Sequence, residues 1–448
     1  MATIVAVATL SVVMPAGLVR AEVSPGAGVP PRAVAPGVTY ERITDAAGPW
    51  VLHVVRVDPA QATTIDLGAG GAEMGRFSRP SEIGKSLGAV VAINGDFGLR
   101  SGHPLHPFLL DGSLMGRGIQ NGANFAIAND ETASFIGPDR LAIRASHAAM
   151  ARRTPLAEWN SGRPARGEIV AYTRYGGSVE PVPGNACSAR LRPDGPMRWG
   201  KLGVGIARRY TVDVRRCRAA ATGATRRSIV LSARRQGTGA AAIKTMAPGD
   251  RVTLSWSFGW THVMDSIGGM PQLVDGGVNV ARTCGSYFCD RNPRTGVGVT
   301  ADGTVLLVVV DGRSRDSVGM TLIQFARAFL DLGAVEALNL DGGGSSAMWI
   351  RGRGVVSDPS DSGGERAVVN AMVVLPGADP GERPIAAPSI GPLGTVGSVD
   401  PAGTGLLAML DPGSTGGLAD AMMRGQLGSG RPSDALVRAA LAFRRSLR

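Results

Sequence analysis

Three short apolar runs, each closed by a polar cluster, constrain this chain more than anything else in it. GAVVAI ends in Asn94-Gly95-Asp96-Phe97, TVLLVVV ends in Asp311-Gly312-Arg313, and EALNL ends in Asp341-Gly342-Gly343-Gly344-Ser345-Ser346. Runs this short and this rich in Val, Leu and Ile read as buried strands. The polar residues then fall where the chain leaves the sheet, which is where sheets of this kind bind ligands. Glycine supplies 64 of 448 residues without a three-residue period, so a turn-rich, strand-rich protein is indicated and collagen is excluded. Hydrophobic residues make up 44% and charged residues 19%, enough apolar material for a sizeable core.

The stretch from Pro293 to Trp349 is the most informative. GVGVT and TVLLVVV flank Ala301-Asp302-Gly303, and Asp-Gly between β-branched runs signals a hairpin. With Asp302-Gly303 as a two-residue loop, Arg294 stands directly opposite Asp311 at the open end. Thr321-Leu322-Ile323-Gln324 then opens a helix as a capping box, with Leu322, Phe325, Ala326 and Phe329 on one face and Gly333 as its stop. Strand, helix, strand predicts a βαβ crossover over 304–340 that brings Asp311 and Asp341 to one sheet edge. The expected fold class is α/β, mixed and strand-rich: a large mixed sheet carrying that crossover, flanked by a basic strand-rich section.

The glycines after Asp341 allow backbone N–H groups to approach an anion, and Ser345 and Ser346 add donors for a phosphate or a sugar hydroxyl. A nucleotide phosphate loop is excluded, because the lysine is missing and AMWI reads as a strand. A fourth cluster, Glu365-Arg366, precedes the run AVVNAMVVL, and Arg366 joins the candidate binding residues. His103 and His106 flank Pro104-Leu105, so they make no helical metal pair; His103 is a candidate substrate contact.

Together VVAINGDF, IGGMPQLVDGG, NPRTGVGVT, VVVDGRS and ALNLDGGGSSAM resemble the phosphodiester glycosidase family over roughly residues 50–375. The resemblance implies a strand-rich α/β catalytic domain, secreted or luminal, that hydrolyses a sugar-1-phosphodiester. Its motifs fall on Asn94, Arg294, Asp311, Arg313, Asp341, Gly342, Gly343, Gly344, Ser345 and Ser346. Bacterial members often carry Asn-Gly-Gly-Phe-Phe where this chain has Asn94-Gly95-Asp96-Phe97-Gly98, so Asp96 and the GHPLHPFLLDG that follows mark a pocket of their own. Asp341, Asp311 and Arg294 are the expected catalytic residues. Asn94, Asp96, Arg313, the Gly-Ser run, Arg366 and His103 are the expected substrate-binding residues. Which carboxylate acts as nucleophile or base depends on their separation and stays open.

Two rival classes share these residues. A non-catalytic glycan- or wall-binding module could keep the same fold, and a metal-dependent phosphodiesterase could use the same carboxylates. No cofactor is expected, with Ca²⁺ the one metal to consider. A serine hydrolase is disfavoured: Gly343-Gly344-Ser345-Ser346-Ala347 nearly fits its elbow, but the five histidines all precede Ser345.

The remaining segments set the context. Residues 1–21 resemble a secretory signal without its basic start, and 22–37 form a Pro/Gly/Ala linker ahead of a catalytic domain at 38–375. Residues 376–430 read as a second Pro/Gly-rich linker and 431–448 as a short amphipathic helical tail. Four cysteines behind a secretion signal suggest disulfides, with the local pairs Cys187–Cys217 and Cys284–Cys289 favoured. The net charge of +11 hides a local excess: residues 140–235 hold 20 basic and five acidic residues, +15, which leaves −4 elsewhere. With no nucleic-acid motif, the expected partner is a phosphorylated glycan or an anionic cell-envelope polymer, and the expected location is outside the cell or on its envelope. Beyond the N-terminal segment no stretch is long and apolar enough for a membrane span.

Overall fold

The computed structural model describes residues 29–377, apart from 59, 62, 120–121, 129–133, 139–140, 148–153, 161–162, 177–185, 195–207, 219–223, 225–227 and 258–262. The expected signal segment, most of the second linker and the helical tail therefore lie outside the described residues. Strands dominate: four sheets hold about half of the described residues, and the three α-helices among the described residues are ten residues long or shorter. The expected α/β balance is thus shifted toward β.

The largest element is an eight-stranded sheet in the order Val29–Ala35, Val38–Asp45, Trp50–Val57, Val305–Val310, Arg294–Thr300, Ala334–Asn339, Gln272–Asp275, Val278–Asn279. Its central strand Val305–Val310 is buried at all six positions, and the two faces feed different cores. Leu307 and Val309 join Val55, Val297 and Leu338 in a core shared with Ile93, Met348, Ile350 and Met372 of a five-stranded sheet. Leu306, Val308 and Val310 pack instead with Leu52, Val54, Phe325 and Phe329. Coverage on both sides explains why this strand has no polar alternation. Each such side chain contributes ~1.5–3 kcal/mol when taken from water.

The helix Leu322–Asp331 forms as its sequence predicts. Thr321 Oγ1 accepts from the Gln324 N–H at 3.2 Å, Gln324 Oε1 accepts from the Thr321 N–H at 3.0 Å, and Gly333 takes a left-handed φ of +93° just past the end. The strands that the helix joins are not neighbours. Arg294–Thr300 lies between Val305–Val310 and Ala334–Asn339 and is antiparallel to both, so those two run in the same direction and end at one edge.

The hairpin register differs from the sequence reading by one residue. Arg294 pairs with Val310 and Val299 with Val305, because the loop holds three residues rather than two, with Gly303 at φ +87°. Asp311 therefore does not face Arg294; its N–H continues the ladder to Val51 O at 3.0 Å. A second correction concerns the first linker, since Val29–Ala35 forms an edge strand on Val38–Asp45. Two prolines are compatible with that position, because an edge strand need not donate on its outer side.

The basic section builds a second eight-stranded sheet with its own core, in which Ala189, Leu191, Tyr210, Val212, Leu231 and Leu254 pack against the helix Thr238–Lys244. Arg144 lies on the strand beside Ser255, Arg209 beside Thr253, and Arg192 and Arg251 on either side of Thr211. By strand alternation these four exposed arginines share the face opposite the core. Cys187 and Cys217 stand opposite each other across two of these strands and are bonded, as are Cys284 and Cys289. No helix among the described residues is long and apolar enough to cross a membrane.

Candidate functional site

Asp341 lies one residue beyond Leu340 at the end of the Ala334–Asn339 strand, 4% exposed. Its position is fixed through the backbone: its N–H donates to Gly95 O at 3.0 Å, and its carbonyl accepts from Asn94 Nδ2 at 2.7 Å. Asn94 is fully buried, and its Oδ1 also accepts from Thr295 Oγ1 at 2.8 Å and the Ala347 N–H at 3.1 Å. Sequence reasoning expected Asn94 to bind substrate; in the fold its polar atoms join three segments of the protein to one another.

Burial pushes the Asp341 carboxyl up to about 7, and the neighbouring Asp96 charge pushes in the same direction. The Ser345 hydroxyl, the Arg366 charge and the Gly342 N–H at 3.0 Å oppose it. At neutral pH this acid is poised between its two forms, which suits proton transfer. The Gly-Ser run makes a single 3-10 turn, Gly343–Ser345, and then enters the strand Met348–Ile350. Gly343 sits at φ +61° and donates its N–H to Pro293 O at 2.8 Å. At Gly344 any Cβ would overlap the carboxylate of Asp361 and the guanidinium of Arg366, so glycine is required for that pair to lie over the turn. Arg366 grips Asp361 with two bonds, Nε to Oδ2 at 2.7 Å and Nη2 to Oδ1 at 2.9 Å. Ser346 Oγ is buried and has no hydrogen-bond partner.

Asp96 is also buried and is saturated by protein donors. Its Oδ1 accepts from the Phe97 N–H and from His106 Nδ1, both at 2.7 Å, and its Oδ2 accepts from the His106 N–H at 2.9 Å. It reaches Asp341 through its charge. His103, in contrast, is tied to Ser101 Oγ at 3.1 Å and Asn160 O at 3.0 Å, and burial lowers its pKa. Those bonds fasten its loop to Asn160.

Asp311 leaves Val305–Val310 on the other side of the Arg294 strand. Its Oδ2 meets His53 Nε2 at 2.9 Å and its Oδ1 accepts from the Asp358 N–H at 2.9 Å, while His53 Nδ1 meets the Tyr40 hydroxyl at 2.9 Å. Neither His53 nor Tyr40 was expected here. The one available signal was a histidine inside the apolar run VLHVVRV, where a buried imidazole needs partners. The turns that follow Asp311 and Asp341 both touch Pro293, whose carbonyl accepts from the Gly343 N–H and which lies beside Gly312.

Arg294 is fully buried. Its Nε donates to Met320 O at 2.8 Å, and its Nη2 donates to Phe288 O at 2.8 Å and Asp290 O at 2.6 Å, while Nη1 has no partner. Burial brings its pKa down to about 9, so it stays cationic at neutral pH; the Asp290 charge partly offsets that fall. Arg313 is exposed, at a left-handed φ of +62°, and donates to Tyr287 Oη at 2.9 Å, Asn292 Oδ1 at 3.1 Å and Ser360 Oγ at 3.2 Å. Among the described residues, one group could hold a metal ion: Asp66, Asp111 and Asp265 offer oxygens within 4.8 Å of one another. It lies outside the contacts of Asp341 and Asp311.

Comparison with known proteins bears on the fold and the family. An SPbeta prophage-derived uncharacterized protein, YomE of Bacillus subtilis (strain 168), is 40% identical over 84 residues, 19% of this chain and 13% of that relative's length. A solved structure of a hypothetical protein from Synechocystis superposes with a TM-score of 0.61 at 20% identity, covering 75% of this chain and 62% of its own. A Burkholderia pseudomallei K96243 protein thought to be exported gives 0.56 at 24% identity, with 73% and 74% covered. These likenesses establish a shared fold. The stretch that holds Arg294, Asp311, Asp341 and Arg366, residues 210–375, matches the phosphodiester glycosidase family.

Proposed function

We propose that this protein is a secreted or envelope-bound glycosidase that hydrolyses a sugar-1-phosphodiester to free sugar and a phosphomonoester. The observation that carries the reading is Asp341: a buried carboxyl poised near neutrality, at the lip of a glycine turn, in a stretch that matches the phosphodiester glycosidase family. A phosphomonoester is a stable leaving group, so cleavage of the sugar C1–O bond to it asks less of a general acid than ordinary glycoside hydrolysis does. The demand moves to charge. Arg294 and Arg313 face the phosphate. Asp311, with both oxygens held by donors, supplies a fixed negative charge for oxocarbenium character at C1. Asp341 in its ionised form takes a proton from water as the water oxygen bonds to C1, and the C1–O electron pair leaves with the phosphate.

Ser345, Ser346 and the turn N–H groups are the proposed sugar contacts, and Arg366 tunes Asp341 while pinned by Asp361. Two disulfides support an oxidising location. The arginine face of the second sheet is the proposed docking surface for the phosphorylated polymer that bears the substrate.

The test is a panel of sugar-1-phosphodiesters, with sugar and phosphomonoester release both measured on the protein and on Asp341→Asn. Release of both products, lost in the variant, supports the assignment. Full turnover by Asp341→Asn overturns it, and binding without sugar release makes the protein a glycan-binding module instead.

A further inference from the structure

Arg294 poses a physical problem that the mechanism alone does not solve. A guanidinium with no exposure to water requires compensation, yet its three hydrogen bonds go to backbone carbonyls and, among the described residues, no carboxylate pairs with it. One of its nitrogens, Nη1, is buried without any partner. One donor of this cation is left for an acceptor, and two of its three bonds go to residues in or beside a short loop.

Of the three carbonyls, that of Phe288 lies inside the stretch closed by the Cys284–Cys289 disulfide and that of Asp290 follows one residue after it, and the Phe288 ring lies 5.7 Å from the Arg294 guanidinium carbon. Tyr287 of the same stretch turns outward, where its hydroxyl accepts from Arg313 Nη2 at 2.9 Å and its ring lies 5.8 Å from that guanidinium. Asn292 locks the arrangement, with Nδ2 donating to Tyr287 O at 2.8 Å while Oδ1 accepts from Arg313. A buried arginine and an exposed one, on either side of a hairpin, are thus both oriented by a few residues around one cross-link.

We propose that the Cys284–Cys289 loop is the positioning element of the anion pocket, orienting Arg294 Nη1 and Arg313 toward one phosphate. The inference rests on the reading that these arginines face a phosphate group. The cross-link confines a loop that must otherwise lose its freedom when the anion binds, so opening it weakens the hold on the phosphate.

The probe is inorganic phosphate, titrated calorimetrically into the full chain and three variants: Cys284→Ala/Cys289→Ala, Cys187→Ala/Cys217→Ala, and Tyr287→Phe, which keeps both disulfides. Opening the small loop is expected to weaken phosphate binding on the order of tenfold, with Tyr287→Phe showing a smaller loss and Cys187→Ala/Cys217→Ala matching the parent. With a phosphodiester substrate the loss is expected in kcat/KM, because the same arginines meet the charge that grows on the leaving phosphate. Parental affinity in both Tyr287→Phe and Cys284→Ala/Cys289→Ala overturns the inference and leaves the phosphate reading standing. If the double cysteine variant fails to fold, Tyr287→Phe decides alone. No phosphate binding by the unaltered protein sinks both.

Discussion

Asn94 offers a clean separation between a residue that holds the site and one that touches the substrate. Its side chain makes three buried hydrogen bonds, to Asp341 O, Thr295 Oγ1 and the Ala347 N–H. In Asn94→Ala the Asp341 carbonyl and the Ala347 N–H lose their partner in a place that water does not reach, at ~1–3 kcal/mol for each stranded group. Together with the small void left by the amide, the loss comes to about 3–5 kcal/mol. At roughly 2 °C per kcal/mol for a domain of this size, the melting temperature falls by about 6–10 °C. The assay is thermal unfolding of parent and variant at one pH, followed by kinetics well below the lower transition. Because Asn94 fixes the Asp341 backbone, kcat falls with stability while KM changes less. A melting temperature within a degree of the parent, together with a raised KM, would falsify the positioning role and return Asn94 to the substrate contacts.

Two further outcomes follow from the charges. The Asp341 carboxyl has a folded pKa of about 7, above its unfolded value of ~3.9, so the folded state binds the proton more tightly. That contribution is fully present below about pH 4 and is lost as pH rises to 7, amounting to about 4 kcal/mol at most. Asp341→Asn should therefore melt above the parent at pH 8 and close to it at pH 4, while losing turnover; equal melting at both values contradicts the buried ionisation. The arginine face should retain the protein on an immobilised polyanion such as poly(glycerol phosphate), with release at about 0.5 M NaCl as screening shortens to a few ångströms, and Arg144→Gln/Arg209→Gln/Arg251→Gln should elute earlier. Retention that ignores salt would count against a charge-based contact.

What could be read from the sequence was whatever local patterning decides. The ends of the apolar runs located Asn94, Asp311 and Asp341, because a strand buried on both faces places its first polar residue at the sheet edge. The capping box around Thr321 and the local cysteine pairs were readable for the same reason. The hairpin register was not, since Asp302-Gly303 fits both a two-residue loop and the observed three-residue one with Gly303 left-handed. Partners chosen over long distances were also hidden. His53 lies 258 residues before Asp311, and nothing near either one announces the other. Asp96 read as a substrate contact and His106 as part of an unusual loop, and only the fold makes them a buried pair.

Those separations have a consequence for how the protein comes into being. Trp50–Val57 cannot pair with Val305–Val310, nor Asn94 reach Asp341, until some 250 residues of intervening chain have been made. The site therefore cannot form until both of its distant halves have been made, and assembly dominated by such distant pairings is slow. The same connectivity means that a fragment cut to residues 210–375 retains Arg294, Asp311 and Asp341 but lacks His53, Asn94 and Asp96, and so carries the motifs without the scaffold that gives them their chemistry.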